Sequence, residues 1–172
     1  MSGLKYKIRS ENYEVEITEL SNIEQLKVEP DALVIYDDDI SKASTVLKII
    51  IEDYLIIYYY FEAYSSGLQD FTVLVIPETH TVLIGGKKKS CSVNMINKKT
   101  ENEFEHCLFW DFSLLNNGYV FESGELDCIL RDRSGKIIDK VPVDPPWESD
   151  LKDDGIRFSS TLYGETFLRF PK

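Results

Sequence analysis

The run from Val46 to Tyr64 (VLKIIIEDYLIIYYYFEAY) is the most apolar and aromatic part of the chain, and it constrains the fold most. Residues 54–64 contain neither Gly nor Pro, and β-branched and aromatic side chains of this kind pack well on a pleated sheet. Alternate side chains point to opposite faces of a strand, and here both faces are apolar. The run therefore predicts two adjacent strands, joined at Glu52–Asp53, in the centre of a sheet that is covered on both sides.

The first arm of this run, residues 43–51, has a second interpretation. Its apolar residues also recur at helical spacing, and Ser41 is a suitable N-cap. The many β-branched side chains between Thr45 and Ile51 favour an extended chain. We predict a strand here, with a helix as the alternative, and we expect a loop at Tyr64–Gly67 after the second arm.

Short apolar runs separated by turn residues predict strands in most of the remaining chain. Tyr13 to Leu20 alternates between apolar and polar residues, and Cys107–Leu114 (CLFWDFSL) is typical of a core strand. At most one or two short helices are expected, one of them after the capping-box pattern at Ser21–Glu24. We therefore predict a mainly β protein, an antiparallel sandwich or strongly bent meander sheet, with residues 1–172 forming a single β-rich globular domain.

An internal similarity suggests an alternative fold. Val82–Gly86, followed by Cys91–Val93, resembles Tyr119–Gly124, followed by Cys128–Leu130. The segment from Tyr119 to Val141 is similar to one blade of a β-propeller, a fold in which such strands recur about every 40 to 50 residues. Because no third or fourth copy is visible, a small propeller-like array is the alternative and not the preferred prediction.

Two segments are predicted to be irregular. Asn97–Glu103 is polar and typical of a loop. Val141–Asp154 is rich in proline and acidic residues, which makes it a poor strand or helix. We predict an ordered surface loop or a crossing connection there.

Charge and the N-terminal sequence limit the partners and the location. The formal net charge is −11, which disfavours DNA, RNA and anionic membranes because all of them attract positive charge. It is compatible with simple solubility or with a basic protein partner. The N-terminus lacks an apolar signal segment and no apolar run approaches the length of a membrane span, so we expect a cytoplasmic protein.

The sequence contains no recognisable catalytic or metal-binding motif. The three cysteines, Cys91, Cys107 and Cys128, lack the close spacing of metal or redox sites, and their odd number argues against a disulfide framework. His80 and His106 also lie in no known nucleophile or metal pattern. We therefore predict a protein that is not an enzyme and that needs no cofactor and no metal.

Three acidic segments are candidates for binding a partner. Asp37–Asp39 is predicted to form an exposed acidic turn, and Glu125 and Asp127 flank another turn. In Pro142–Glu148 (PVDPPWE), a rigid loop presents an aromatic side chain among carboxylates, as protein interfaces often do; alternatively, Trp147 folds back and covers the end of the core. The predicted partner-binding residues are Asp37, Asp38, Asp39, Glu125, Asp127, Asp144, Trp147 and Glu148.

Three functions are compatible with these observations. The first is a non-enzymatic acidic binding protein, such as a bacterial immunity or inhibitor protein that neutralises a basic nuclease toxin. The second is a small-molecule or peptide binding module with an aromatic pocket, lined by the tyrosines or by Phe109, Trp110 and Phe112. The third is an enzyme of unfamiliar type that combines carboxylates with His80 or His106. The first is our prediction, and the sequence does not predict an oligomeric state.

Overall fold

The computed structural model describes residues 4–20, 23–62 and 69–171, and the regular structure in these ranges is almost entirely β. The mainly β prediction is confirmed. Helical residues in the described ranges form three short 3₁₀ turns, Ile23–Gln25, Ile40–Lys42 and Pro77–Thr79, and no helix there is long and apolar enough to cross a membrane. The start of the proposed capping box (residues 21 and 22) and the predicted loop at residues 64–67 lie outside the described residues.

The strands form four sheets that follow one another along most of the chain. In chain order they are β1 (Leu4–Arg9), β2 (Val15–Leu20), β3 (Leu33–Tyr36), β4 (Thr45–Ile51), β5 (Leu55–Phe61), β6 (Gln69–Ile76), β7 (Thr81–Gly85), β8 (Lys89–Asn94), β9 (Lys99–Glu105), β10 (Phe109–Leu114), β11 (Val120–Gly124), β12 (Asp127–Arg131), β13 (Ile137–Pro142), β14 (Trp147–Lys152), β15 (Gly155–Ser160) and β16 (Gly164–Arg169).

The first sheet contains the predicted central pair. Its order is β2-β4-β5-β3, so β4 and β5 each have a strand on both sides. The prediction of two adjacent central strands is confirmed, and the helical alternative for residues 43–51 is wrong. Glu52 and Asp53 both adopt positive φ (51° and 57°) in the turn between the two strands, a conformation that non-glycine residues seldom adopt outside tight turns.

In the other three sheets, neighbouring strands are consecutive in the sequence, except that β1 lies beside β6. The second sheet has the order β1-β6-β7-β8-β9, in which β1 is parallel to β6 and the other pairs are antiparallel. The third sheet is β10-β11-β12-β13, and the fourth is β14-β15-β16. β6 and β7 form an antiparallel hairpin, and β11 to β13 form a meander.

The four sheets pack in series, with an apolar layer at each of three junctions. Two-sided burial of this kind requires apolar residues on both faces of the inner strands, which is the pattern seen in β4 to β7. The small antiparallel sheets therefore agree with the predicted fold class. Representative buried side chains are Ile49, Ile57, Val73 and Ile84 at the first junction; Leu74, Leu83, Phe109 and Phe112 at the second; and Cys128, Leu130, Phe158 and Leu168 at the third.

Two segments that were predicted to be irregular are strands. Residues 99–105 form β9 and residues 147–152 form β14, so both of those predictions are wrong. Each is the outer strand of its sheet and has a largely exposed burial pattern. Because an outer strand buries few side chains, most of its residues can be polar, and its composition then resembles that of a loop.

Candidate functional site: an acidic cleft beside a buried ionic cluster

Asp37 lies at the first junction, directly after β3. It was expected in an exposed turn, but it is only 3% exposed, so that expectation is wrong. Its Oδ1 atom accepts hydrogen bonds from the Tyr59 hydroxyl at 2.5 Å and from the backbone N–H groups of Lys88 and Lys89 at 3.0 and 2.9 Å. Burial raises the pKa of Asp37, and these three donors, together with the charge of Lys87, offset only part of the increase. Asp37 thus joins the first sheet to the turn before β8.

Asp38 and Asp39 are more accessible and have different roles. Asp38 forms an ion pair with Lys88, and hydrogen bonding to that ammonium group lowers the pKa of Asp38. Asp39 caps a 3₁₀ turn by accepting a hydrogen bond from the N–H of Ser41 at 2.9 Å. The three consecutive aspartates are therefore one buried anchor followed by two groups at the surface.

The acidic triplet borders an open cleft of about 500 Å³, which we call the acidic cleft. Four carboxylates face two ammonium groups in its lining, which makes the formal charge of the lining negative. Both ammonium groups have carboxylate partners, since Lys88 pairs with Asp38 and Lys89 lies 3.2 Å from the exposed Glu103. The lining residues are Asp37, Asp38, Asp39, Lys88, Lys89, Glu105, His106 and Cys107.

The predicted pair Glu125 and Asp127 lies beside this cleft. A hydrogen bond with Glu125 is the main cause of a raised pKa of the exposed Cys107 thiol, with smaller contributions from burial and from the charge of Asp127. A thiol with a raised pKa is a poor nucleophile at neutral pH. The fold therefore places three of the predicted partner-binding residues, Asp37 to Asp39, in the lining of the cleft and two more, Glu125 and Asp127, close to its Cys107, whose thiol is not reactive.

A buried ionic cluster adjoins the cleft through His106, which belongs to both. It consists of Ser90 on β8, His106 before β10, Glu122 on β11 and Arg131 on β12, and none of these residues is more than 6% exposed. Oε1 of Glu122 accepts hydrogen bonds from the Ser90 hydroxyl and from Nε2 of His106, and Oε2 accepts one from Nε of Arg131. The cluster joins the second and third sheets.

Arg131 extends from the third sheet into the second. Its Nη1 donates to the carbonyl of Asn102 at 2.9 Å and to that of Gly135 at 2.7 Å. Asn102 has a positive φ of 48° and lies where the register of β8 and β9 shifts, so Arg131 supports a bulge in β9. Burial by itself would raise the pKa of Glu122, but the hydrogen bond from His106 and the charge of Arg131 hold it below its ordinary value.

Ser90, His106 and Glu122 are the residue types of a nucleophilic triad, but they are connected differently. In such a triad, one ring nitrogen of the histidine faces the serine and the other faces the carboxylate. Here Nε2 faces both, lying 3.3 Å from Oγ of Ser90, and Nδ1 has no hydrogen-bond partner. Nδ1 instead abuts Gly124, where an added Cβ atom would lie only 2.7 Å away. The geometry of the buried ionic cluster suits a structural connection between the second and third sheets.

The other predicted residues belong to the third junction and the fourth sheet. The indole of Trp147 stacks on Trp110, with ring centroids 5.4 Å apart and an angle of 17° between the planes, and it meets Phe158 edge-on. The alternative prediction, in which Trp147 folds onto the end of the core, describes this position. Glu148 is exposed on β14.

Asp144 has a local structural role. Its Oδ1 atom accepts hydrogen bonds from the N–H groups of Leu162 and Tyr163 at 2.7 and 3.2 Å. It therefore holds the turn between β15 and β16 against the segment that precedes β14.

The aromatic residues proposed to line a pocket lie mainly in the core. Phe109 and Phe112 are at most 2% exposed, and Tyr59 is fully buried. Trp110 is covered by Trp147. The pocket hypothesis remains a prediction, and the structure places these side chains in packing contacts.

Comparisons with known proteins give little further information. No protein-family model and no curated protein matches the chain. The chain is similar to the solved structure of Hsv2 from Kluyvelomyces marxianus, with 10% identity and a TM-score of 0.32, over 73% of this chain and 43% of that one. It is also similar to BamB from Moraxella catarrhalis, with 10% identity and a TM-score of 0.27, over 81% and 59%. The chain thus spans less than two thirds of either structure, and similarity this low supports no inference about activity or partners.

Proposed function

We propose that this protein is a non-enzymatic binding protein whose acidic cleft neutralises a basic protein partner, such as a nuclease toxin. The observation that carries the proposal is an open cleft lined by Asp38, Asp39 and Glu105, with Glu125 and Asp127 close to its Cys107. These residues come from three separate parts of the sequence. Part of the negative charge of the chain therefore lies at a concave surface that a partner can enter.

Electrostatics explain why a basic partner suits this surface. A concave surface with a net charge of one sign attracts a protein of opposite charge and accelerates its association. Nuclease active sites are electropositive because they must hold phosphate groups. A cleft with carboxylates in those positions matches that charge, and the formal charge of −11 adds long-range attraction.

The capture of proteins by the immobilised chain tests the proposal. A lysate of the source organism, and a panel of purified basic nucleases, would be passed over the protein at about 0.05 M and about 0.5 M salt, which changes the screening length severalfold. We expect a stoichiometric basic partner that is retained at low salt and released at high salt. If no basic protein is retained at low salt, the proposed function is wrong.

A matched pair of variants shows whether the cleft is the binding surface. The triple variant E105Q/E125Q/D127N removes three charges beside the cleft, and E16Q/E24Q/D31N removes three exposed charges elsewhere. Both variants change the net charge from −11 to −8, because three carboxylates are neutralised in each. We expect the first variant to lose most of the capture and the second to keep most of it.

A further inference from the structure

The outer strand of the fourth sheet, β14, has a single strand neighbour in the described chain, β15. Six consecutive residue pairs join the two strands without a register shift. In an antiparallel ladder, alternate residues bond the neighbouring strand, and the N–H and C=O groups of the intervening residues point away. Glu148 to Lys152 are all exposed. β14 therefore presents a regular, open hydrogen-bonding edge, whereas the edge strand β9 is interrupted by its bulge.

The face of the fourth sheet that packs on the third sheet is partly exposed to solvent at β14. Leu151 pairs with Ile156, and Ser149 pairs with Phe158, so these side chains share the face that packs on the third sheet. Ile156 and Phe158 are 4% and 0% exposed, but Leu151 is 58% exposed. On the same face, the indole N–H of Trp147 is buried without a hydrogen-bond partner. The apolar layer thus continues to β14 and ends there uncovered.

The outer face of β14 has a different chemistry. Glu148, Asp150 and Lys152 lie on it; Asp150 forms an ion pair with Lys152 and lies opposite Arg157 of β15. From Asp144 to Phe170 the chain has six acidic and three basic residues, so this sheet has a net negative charge. A strand added beside β14 would therefore meet apolar groups on one face and, on the other, two carboxylates, of which Glu148 is not part of the Asp150–Lys152 ion pair.

We propose that the edge of β14 accepts an extended segment of the basic partner as a fourth, antiparallel strand, in which Lys or Arg alternates with apolar or small residues. The proposal rests on the function proposed above and specifies the partner. Its basic residues would lie opposite Glu148 and Asp150, and its apolar residues would cover Leu151 and Trp147. A second copy of this chain is a poor occupant, because it would bring another charge of −11 to the same edge.

The register defines a probe. The sequence Val-Lys-Ser-Lys-Val fits this register in an antiparallel strand. Its valines would lie opposite Leu151 and Trp147, its lysines opposite Asp150 and Glu148, and its serine opposite Ser149. The peptide Thr-Val-Lys-Ser-Lys-Val-Thr, with blocked ends, would be titrated into the labelled full chain and followed by NMR. We expect the largest amide shifts at residues 147–152.

Two peptide derivatives separate strand addition from simple charge attraction. N-methylation of one alternate set of residues removes the N–H groups that face β14, and N-methylation of the other set removes those that face away. We expect one derivative to lose binding and the other to bind as the unmodified peptide does. Equal binding by both derivatives would overturn the proposal and leave the proposed function standing.

Protein variants complete the test. L151S is expected to weaken peptide binding about tenfold, because it removes apolar surface that the added strand would cover. The matched control is L162S, at a residue that is 74% exposed in the turn between β15 and β16, and it should leave binding unchanged. Shifts centred on the acidic cleft, dimerisation through residues 147–152, or absence of peptide binding would each overturn the strand proposal. The capture experiment does not depend on the peptide, so it judges the proposed function separately.

Discussion

Asp37 and Glu122 are two buried carboxylates that connect neighbouring sheets by different means. Asp37, at the first junction, accepts hydrogen bonds from the Tyr59 hydroxyl and two backbone N–H groups. Glu122, at the second junction, has the cation Arg131 and the ring of His106 as partners. The pKa of Asp37 is raised and that of Glu122 is lowered. At Asp37, the hydrogen bonds and the charge of Lys87 offset only part of the effect of burial, whereas at Glu122 the hydrogen bond from His106 and the charge of Arg131 together reverse it.

The two connections should therefore respond differently when a partner is removed. A buried ion pair gains little over an apolar replacement of the whole pair, but it is costly to break from one side. A carboxylate held by several neutral donors keeps most of its partners when one is lost. Substitutions at the second junction should accordingly have larger effects than those at the first.

The largest effect is expected for R131M. It leaves Glu122 buried without its cation and removes the support of the bulge in β9, so we expect a loss of about 3–5 kcal/mol in the free energy of unfolding, measured with denaturant. The control R133M removes an arginine whose side chain is 40% exposed and should cost less than about 1 kcal/mol.

The double variant E122Q/R131M sharpens this test. Because no charge is then left without its partner, the double variant should be more stable than R131M alone. A double variant less stable than R131M would show that Glu122 contributes through contacts other than this ion pair.

An intermediate effect is expected for D37A. The substitution leaves the Tyr59 hydroxyl and the N–H groups of Lys88 and Lys89 without their acceptor, and unsatisfied buried polar groups are costly. We expect a loss of about 1–3 kcal/mol in the free energy of unfolding, measured with denaturant. A loss equal to that of R131M would contradict the distinction between the two junctions.

A smaller effect is expected for Y59F. The Asp37 carboxylate keeps its two backbone donors, so the cost should be about 1 kcal/mol, the usual value for one hydrogen bond. Thermal unfolding of Y59F beside D37A measures the difference. A Y59F variant that is as unstable as D37A would show that the tyrosine, and not the backbone, holds Asp37.

The pH dependence of stability should have opposite signs at the two junctions. The pKa of Glu122 is lowered in the folded state, so its contribution is present above about pH 4.5 and is lost as the pH falls through the folded value. The pKa of Asp37 is raised, so its contribution is present below about pH 3.8 and is lost as the pH rises through the folded value. The penalty of E122Q should therefore shrink towards low pH, and that of D37N should shrink as the pH rises. Denaturant midpoints of the wild type and both variants would be measured across this pH range. Penalties of E122Q and D37N that change in the same direction with pH would contradict the comparison.

Local sequence patterns predicted the inner strands and some outer strands, such as β2 and β10, but not β9 and β14. β4 and β5 are apolar on both faces, and this pattern arises only when a strand is covered on both sides. β9 and β14 have few buried side chains, so nothing local distinguishes them from loops. Three adjacent aspartates also look alike in sequence, and only the pairing of β3 with β5 and the approach of the turn before β8 place Asp37 in the interior.

The ionic cluster was beyond prediction for a related reason. Ser90 and His106, and then His106 and Glu122, are separated by 16 residues, and Glu122 and Arg131 by 9. These residues meet because two sheets pack together, and no residue spacing within one strand or turn indicates that contact. The turn residues Glu125 and Asp127 were predicted from their charge, but their place beside Cys107 and the acidic cleft depends on the packing of the second and third sheets.

The central claim is that the acidic cleft binds a basic protein, and association kinetics test it most directly. The association rate constant of the captured partner would be measured against salt concentration for the wild type, E105Q/E125Q/D127N and E16Q/E24Q/D31N. We predict a rate that falls steeply with salt for the wild type, a slower rate with a shallower salt dependence for the cleft variant, and a nearly unchanged rate for the control variant. Equal rates and equal salt dependences for the two triple variants would contradict the claim, because net charge and not the cleft would then govern binding.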